Sequence, residues 1–406
     1  MDRQGKKMFN AEELMKEKTI MDYCTGCGLC KSVLNTTMRF DEKSGFSKPV
    51  IETEEEIQFC ESVCPVNGKH LAQQKVDTWG KYIEIYEGHS SDEDIRFKGA
   101  SGGITTALAV FLLETGKVDG IIQIGEGSNP FETKVYCARS KQEIVSHSAS
   151  RYIDSSPLSS FLQIVSDGGK YAFIGRPCDA ICLRNYLEME PEYKKSIVCI
   201  LAFFCAGVPS INASKKMSSA LGIDVSNVKH IQYRGNGWPG KAEVESIDGK
   251  KSSMEYIESW NKILGRDIRK ICKFCSDGVG EAADISSGDL WYLDEEKKPV
   301  FAENKGENVV FVRTEVGQQI IKEAIQCGYI EADSYETKLS ELEYVQPNHA
   351  IRKKMLFARC LAMKVMRKQT PNYDFKILRK FSKERSAVEN IRTFMGTIKR
   401  IREKKL

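Results

Sequence analysis

Three cysteines at three-residue spacing constrain this chain more than any other feature of its sequence. Cys24, Cys27 and Cys30 form a Cys-x-x-Cys-x-x-Cys run with Gly26 and Gly28 between them. A tight glycine-containing loop turns successive thiolates inward and offers backbone N–H groups to inorganic sulfides, so the run can bind three corners of an iron–sulfur cubane. The sequence therefore predicts a small metal-organised domain near the start of the chain.

The fourth corner of such a cluster usually comes from a remote cysteine that is followed by proline. Cys64 precedes Pro65 and fits this role, and Cys60 is the alternative ligand. The local fourth position is Leu34, so the segment resembles a ferredoxin module with one 4Fe-4S cluster. A zinc site is the competing interpretation, but zinc favours separated Cys-x-x-Cys pairs or histidine ligands. The nearest histidine, His70, is expected on the surface.

The chain has 406 residues and fourteen cysteines, which is more than one hydrophobic core usually holds and more thiols than packing requires. The first eighteen residues are charged, and the longest apolar run, 197–208, is too short to span a bilayer. We therefore expect a cytoplasmic protein with free thiols that serve metal or redox chemistry. The predicted units are a ferredoxin-like 4Fe-4S domain (1–78), an oxidoreductase body (79–350) and a basic helical tail (351–406).

Along the sequence of the body, segments with a strand pattern alternate with segments with a helix pattern. Strand patterns at 82–86 and 120–124 flank a helical pattern at 101–113, and further strand patterns follow at 171–174 and 196–204. This alternation predicts a mixed α/β fold built on a layered sheet. Shorter strand patterns are expected either to extend that sheet or to form a neighbouring one; they lie at 228–233, 242–247 and 308–312.

A second group of four cysteines is spread along the body. It comprises Cys178, Cys205, Cys272 and Cys275. The first two follow predicted strands, and the last two form a Cys-x-x-Cys pair. If the two strands are parallel neighbours, their carboxyl ends meet at one sheet edge, where the four sulfurs would converge on a second metal centre. Cys182 and Cys199 are nearby alternatives, and buried cysteines are often only structural.

A run of small residues precedes the first helix of the body. It reads Gly99-Ala100-Ser101-Gly102-Gly103-Ile104-Thr105. Small residues at a helix start let backbone N–H groups approach an anion, which suits a flavin or nucleotide phosphate, although a plain tight turn has the same composition. Arg151 and Tyr152 would add a cation and a stacking ring, or they form an ordinary surface pair.

The net charge of +4 conceals an acidic body and a basic tail. Residues 352–406 contain 18 lysines and arginines against 4 acids. Apolar residues recur among them at helical spacing, which predicts an amphipathic helix packed on the body or on a partner. Peripheral contact with an anionic membrane is the alternative. We do not expect nucleic-acid binding, because the phenylalanines follow the apolar stripe and do not alternate with the charges.

The order of these motifs resembles the beta subunit family of coenzyme F-420 hydrogenase/dehydrogenase, which also includes hydroxymethyl-chlorophyll reductase. After the cysteine run come GASGG, GRPC, FC-x-G-x-P, GWPG, C-x-x-C and ADIS-x-GD, covering roughly 24–329. The resemblance implies FAD with one or two 4Fe-4S clusters and electron transfer to a small-molecule acceptor. It implies an electron donor such as ferredoxin or a redox partner subunit. F-420 itself does not follow from the resemblance.

The resemblance also implies which residues hold each cofactor. Cys24, Cys27, Cys30 and Cys64 would bind the first cluster, and Cys178, Cys205, Cys272 and Cys275 the second. The flavin would lie against Gly99, Ser101, Gly102, Gly103, Thr105 and Arg151. A non-catalytic electron-transfer subunit and a zinc-stabilised binding module are the alternatives.

Overall fold

The structure of this chain is a computed structural model that describes residues 9–68, 70, 78–403 and 406. The helices in these ranges are α1 (Ala11–Tyr23), α2 (Leu29–Leu34), α3 (Glu54–Val63), α4 (Glu93–Lys98), α5 (Ile104–Glu114), α6 (Lys141–Ser146), α7 (Phe161–Val165), α8 (Pro177–Met189), α9 (Ile211–Ala220), α10 (Tyr256–Glu258), α11 (Glu315–Gln326), α12 (Leu342–Val345), α13 (Pro347–Arg352), α14 (Leu356–Val365), α15 (Phe375–Ser382) and α16 (Ala387–Arg402). The strands are β1 (Met38–Asp41), β2 (Phe46–Pro49), β3 (Glu84–Ser90), β4 (Gly120–Glu126), β5 (Thr133–Ala138), β6 (Tyr171–Gly175), β7 (Ile197–Phe203), β8 (Val228–Gln232), β9 (Lys241–Ser246), β10 (Lys251–Glu255), β11 (Ile285–Asp289), β12 (Asn308–Val312) and β13 (Ile330–Ser334).

An eight-stranded sheet forms the centre of the body, in the order β13-β3-β12-β11-β7-β6-β4-β5. The four inner strands β11, β7, β6 and β4 pair in parallel, and the outer pairs are antiparallel. This arrangement confirms the predicted mixed α/β class. Of the shorter strand segments, β12 joins the main sheet, whereas β8 and β9 form a separate three-stranded sheet with β10.

Both faces of the sheet are covered, because neighbouring residues along its strands enter opposite cores. Ile121 and Leu201 pack with α5 and α11 on one face. Ile122 and Ile200 pack with α7 and α8 on the other face. That second core also contains α1 to α3, so the cysteine-rich N-terminal segment is attached to the body by shared apolar packing.

The basic C-terminal region folds against the rest of the chain. Leu356 and Phe381 are buried in one cluster with Tyr23 of the N-terminal segment and Phe274 of the body. This packing agrees with the expectation of a helix folded on the body. Within the described ranges, no helix is both long enough and apolar enough to cross a membrane.

The buried side chain of Arg313 fastens two loops to the end of β12. Its guanidinium donates to the carbonyl oxygens of Trp79 at 3.0 Å, Lys81 at 2.8 Å and Val279 at 2.8 Å. Its Nε donates to Ser286 Oγ at 3.0 Å. One side chain therefore joins the entry of β3, the loop before β11 and β11 itself.

Replacing Arg313 with methionine should destabilise the fold strongly. Several buried acceptors would lose their donor, so we expect the free energy of unfolding to fall by about 3 kcal/mol or more. Arg139→Met is the matched control, because the Arg139 side chain is 53% exposed and should contribute about 0.5 kcal/mol or less. Urea denaturation followed by circular dichroism would measure both losses, and similar losses would contradict this role.

Candidate functional site

The N-terminal cysteines surround one small apolar-walled cavity. Its lining includes Cys24, Cys27, Cys30, Cys60 and Cys64, together with Ile20, Tyr23 and Val66. Cys24 and Cys27 lie in the loop between α1 and α2, and Cys30 lies in the first turn of α2. Cys60 lies in the last turn of α3, and Cys64 is the C-cap of that helix. Both alternatives for the fourth ligand therefore lie at the cavity. Cys182 of α8 approaches the same group, since it packs in one apolar cluster with Cys27 and Cys64.

A buried arginine supports the cysteine loop from the body. Arg269 donates to the carbonyl oxygen of Cys24 at 3.2 Å and forms an ion pair with Asp154. Gly26, at φ +79°, lies directly against this guanidinium, and its own N–H points to Cys24 Sγ at 3.3 Å. Burial raises the pKa of the Cys24 thiol, and the positive charge of Arg269 opposes that shift.

The second group of cysteines also converges on one cavity, although its members are far apart in sequence. The cavity is lined by Cys178, Cys205, Cys272 and Cys275. Cys178 lies in the first turn of α8 after β6, and Cys205 follows the adjacent parallel strand β7. The predicted convergence at the carboxyl edge of the sheet is therefore observed. Cys199, one of the alternatives, is instead buried within the sheet core.

Two buried guanidinium groups accompany this inner quartet. Arg352 lines the inner cavity with Cys275 and donates to the carbonyl oxygen of Ala206 at 2.8 Å. Burial would lower the pKa of Arg352, but the sulfurs of Cys275, Cys205 and Cys272 raise it overall. Arg176 lies close to Cys178 and pairs with Asp179 at 2.7 Å. Burial raises the pKa of the Cys205 thiol to about 12. Positive charge at this site therefore counteracts the desolvation that burial imposes on thiolates.

A cleft of about 350 Å³ opens beside the inner quartet, at the carboxyl ends of β6, β7 and β11. Of the predicted flavin-binding residues, Gly99, Ser101, Gly103, Thr105 and Arg151 line it. Gly102 does not line the cleft, because its Cα faces Asn308, whose Oδ1 would stand 2.7 Å from an added Cβ. The residue run starts α5 as predicted, with Gly103 as its N-cap.

The three cavities are contiguous. Thr25 lines both the N-terminal cavity and the inner one, and Pro65 lines the inner cavity while the preceding Cys64 lines the first. Cys205 and Val208 line both the inner cavity and the cleft. The inner quartet therefore lies between the N-terminal cysteines and the cleft.

Several residues of the cleft were not identified from the sequence. Arg234 holds Asp289 through two hydrogen bonds of 2.8 and 2.7 Å. Trp291 stacks on Trp238, and the cleft is further walled by aromatic side chains. The aromatic residues that line it include Tyr152, Phe204, Tyr256, Trp260, Trp291 and Phe301. The GWPG and ADIS-x-GD motifs were the available signal, since Trp238 and Asp289 belong to them.

Three residues that border the cleft each have a buried polar atom without a hydrogen-bond partner among the described residues. These atoms are Arg151 Nε, Arg176 Nη1 and His349 Nδ1. Burial lowers the pKa of His349 to about 3, with a further contribution from the charge of Arg352, so the imidazole is neutral. Unpartnered guanidinium nitrogens beside aromatic walls and a helix start suit a ligand that carries phosphate and an aromatic ring.

Within the described ranges, no three cysteine, histidine or acidic side chains form a group that could hold a metal ion. His70, expected on the surface, is instead buried, and its Nε2 lies 2.7 Å from Ser276 Oγ. That expectation was wrong because the His70 side chain makes a buried polar contact with Ser276, next to the inner quartet.

Comparison with known families gives two matches. Residues 85–163 match the N-terminal part of the coenzyme F420 hydrogenase/dehydrogenase beta subunit, and residues 168–338 match its C-terminal part. Together these matches cover more than half of the chain. Residues 1–84 and 339–406 lie outside them, so the ferredoxin-like assignment of the first segment stays a prediction.

Individual relatives agree with this result. The chain is 27% identical to the coenzyme F420 hydrogenase subunit beta of Methanosarcina barkeri, over 63% of this chain and 84% of that protein. It is 26% identical to the coenzyme F420-dependent sulfite reductase of Methanocaldococcus jannaschii, over 75% of this chain but 46% of that enzyme. It is 24% identical to the F420-dependent formate dehydrogenase 1 subunit beta of Methanococcus maripaludis, over 64% of each chain.

A solved structure shares the fold. A chain of the F420-reducing [NiFe] hydrogenase complex from Methanosarcina barkeri aligns with a TM-score of 0.55 at 24% identity, covering 73% of this chain and 97% of that one. The chain therefore belongs to the coenzyme F420 hydrogenase/dehydrogenase beta subunit family, as the motif order predicted. Its relatives are oxidoreductases or their subunits, which supports a redox role for this protein.

The contact between Gly26 and Arg269 gives a testable expectation. Alanine at position 26 would adopt a left-handed backbone, and its Cβ would meet Arg269 Nη2 at 2.5 Å. Gly116 is the matched control, since it has φ +68° with nothing within 4 Å of its Cβ position. Thermal unfolding should show a loss of about 1–2 kcal/mol for Gly116→Ala from backbone strain alone. Gly26→Ala should lose clearly more, and equal losses would show that Arg269 does not hold the loop.

Proposed function

We propose that this protein is an iron–sulfur flavoprotein oxidoreductase that passes electrons between 4Fe-4S clusters and a small organic substrate or coenzyme through FAD. The observation that supports this proposal most is the contiguity of two cysteine-lined cavities with one aromatic cleft. A cubane carries one electron at a time, whereas a flavin stores two and releases them as a hydride. The inner cavity lies between the N-terminal cavity and the cleft, which is the order in which electrons would pass through two clusters to a flavin.

The proposed ligands are the two predicted quartets. Cys24, Cys27, Cys30 and Cys64 would hold the N-terminal cluster, with Cys60 as the alternative to Cys64, and Cys178, Cys205, Cys272 and Cys275 the inner cluster. Burial raises the pKa of the Cys24, Cys178 and Cys275 thiols, so these must lose protons when they bind iron. Arg269, Arg176 and Arg352 supply positive charge where those thiolates form.

In the cleft, the chain's own residues would bind and orient the flavin. Gly99, Ser101, Gly103 and Thr105 present the small-residue start of α5, and Arg151 offers an unpartnered guanidinium to a phosphate. The aromatic side chains exclude water from the remainder of the cleft. No acid–base group is required, since hydride transfer from a reduced flavin needs none. The electron donor would be ferredoxin or a redox partner subunit, and the acceptor a small molecule, in the cytoplasm.

A second candidate is an electron-transfer subunit that does not itself turn over a substrate. The relatives from Methanosarcina barkeri and Methanococcus maripaludis are named as subunits of larger enzymes, which favours this version. Supplying chemically reduced ferredoxin to the isolated chain distinguishes the two. An enzyme would reduce its flavin and then a small acceptor, whereas an electron-transfer subunit would become reduced without turnover.

Metal and flavin content test the proposal directly. Anaerobically purified protein should contain about eight irons, about eight sulfides and about one FAD per chain, with absorption near ~400 nm that dithionite bleaches. Cys272→Ser and Cys27→Ser should each retain about four irons, because each variant lacks one ligand of a different quartet and so loses one cluster. Cys327→Ser is the control, since that thiol is exposed and borders neither cavity. Zinc in place of iron, or cysteine variants with unchanged iron, would contradict the proposal.

The charge of Arg352 beside the inner quartet predicts a change in reduction potential. The guanidinium would stabilise the more negative, reduced state of the inner cluster. Arg352→Gln should therefore lower the midpoint potential of that cluster by about 60 mV, a tenfold change in a one-electron equilibrium. Arg352→Lys keeps the charge and should shift less.

Spectroscopic redox titration of both Arg352 variants would measure these shifts. The N-terminal cluster serves as the internal control in each sample, because Arg352 borders only the inner cavity. An unchanged potential in Arg352→Gln, or equal shifts in both variants, would show that this charge does not act on the cluster.

A further inference from the structure

The last helix, α16, has a packed face and an unpartnered face. Ser386 begins it with a capping box, in which its Oγ accepts from Glu389 N at 3.3 Å and Glu389 Oε2 accepts from Ser386 N at 2.9 Å. Thr397 and Ile401 are buried on its inner side, and Ile401 shares an apolar cluster with Leu356 and Cys360 of α14. The helix is therefore fixed to the body along one side.

Three large aliphatic side chains extend from the opposite side of α16. Val388, Ile391 and Met395 are 64%, 62% and 57% exposed. At 100° per residue they share one face of the helix, which differs from the face of the inner residues Thr397 and Ile401. The sequence predicted one apolar stripe on this helix, but the apolar residues of α16 form two. The outer stripe, Val388, Ile391 and Met395, is exposed and is not part of the core.

Cations occupy the same outer face. Arg392, Lys399 and Arg402 are exposed and fall on the same side of the helix as Ile391 and Met395. Of the two acids of α16 and its end, Glu389 caps the helix and pairs with Arg385, and Glu403 pairs with Lys399 at 3.9 Å beside this face. The outer face therefore combines three aliphatic side chains with three cations, one of which is paired with Glu403 at the end of the helix.

We propose that the outer face of α16 binds an anionic lipid surface and holds the protein peripherally on a membrane. A helix fixed at one side, with aliphatic and cationic residues together on the other, has the composition of interfacial helices. Its aliphatic side chains enter the headgroup boundary, and its cations extend to lipid phosphates. The strong excess of basic residues over acids in 352–406 adds attraction to an anionic surface.

An anionic membrane fits this face better than a protein groove does. A groove would desolvate the cations next to the aliphatic row, which costs free energy unless each finds a buried partner. A headgroup layer instead leaves these cations hydrated and close to phosphate. The proposal is independent of the clusters and of the flavin, so its failure would not affect the proposed redox function.

Vesicle flotation with the full chain tests the proposal. The protein should float with vesicles of equal parts phosphatidylcholine and phosphatidylglycerol, and bind pure phosphatidylcholine at least about tenfold more weakly. Raised salt should weaken the binding. Ile391→Ser/Met395→Ser and Arg392→Gln/Lys399→Gln should each reduce it about tenfold or more while the melting temperature stays unchanged. Val316→Ser is the matched control, an exposed valine on α11 outside the tail.

Three results would overturn the proposal. One is absence of binding to either kind of vesicle, and another is equal binding to both. The third is an Ile391→Ser/Met395→Ser variant that binds as the unmodified chain does. Gel filtration completes the test, because a dimer that this double variant converts to a monomer would identify the outer face as a contact between two copies.

Discussion

The parallel hydrogen bonding of β6 to β7 determines where the two cysteine groups of this protein lie. It aligns Gly175 with Ala202, so both strands end at one edge and deliver Cys178 and Cys205 to the same cavity. The helix that follows β6 then continues to the N-terminal cysteines, because Cys182 lies one turn after Cys178 and contacts Cys27 and Cys64. One strand pair and one helix thereby place the two cysteine groups side by side.

The charges around these groups follow from their burial. A thiolate taken out of water is unfavourable unless positive charge lies near it, and three buried arginines supply that charge. Arg269 and Arg176 come from the body, whereas Arg352 lies beyond the part of the chain that matches the family. The C-terminal region is therefore more than an appended tail, because it contributes to the surroundings of the inner quartet as well as to the shared core with Tyr23 and Phe274.

Much of this arrangement could be predicted from the sequence. The spacing of Cys24, Cys27 and Cys30 is local, and the strand patterns before Cys178 and Cys205 were strong enough to predict a common sheet edge. Three-dimensional neighbours could not be found in this way. Arg352 reaches Cys275 from 77 positions away along the chain, Gly102 supports Asn308 and does not border the cleft, and the burial of His70 depends on Ser276. Periodicity also could not show that the apolar residues of α16 divide between two faces.

The proposed function requires two iron–sulfur clusters that lie next to each other and beside the cleft, in the order of the three contiguous cavities. Electron paramagnetic resonance of the fully reduced protein tests it most directly, because neighbouring paramagnetic clusters broaden and split each other's signals. We expect such an interacting spectrum for the unmodified protein. When Cys272 is replaced by serine, we expect a simple, unsplit signal from the remaining cluster. Two sharp, independent signals in the unmodified protein, or a spectrum without any iron–sulfur signal, would contradict it.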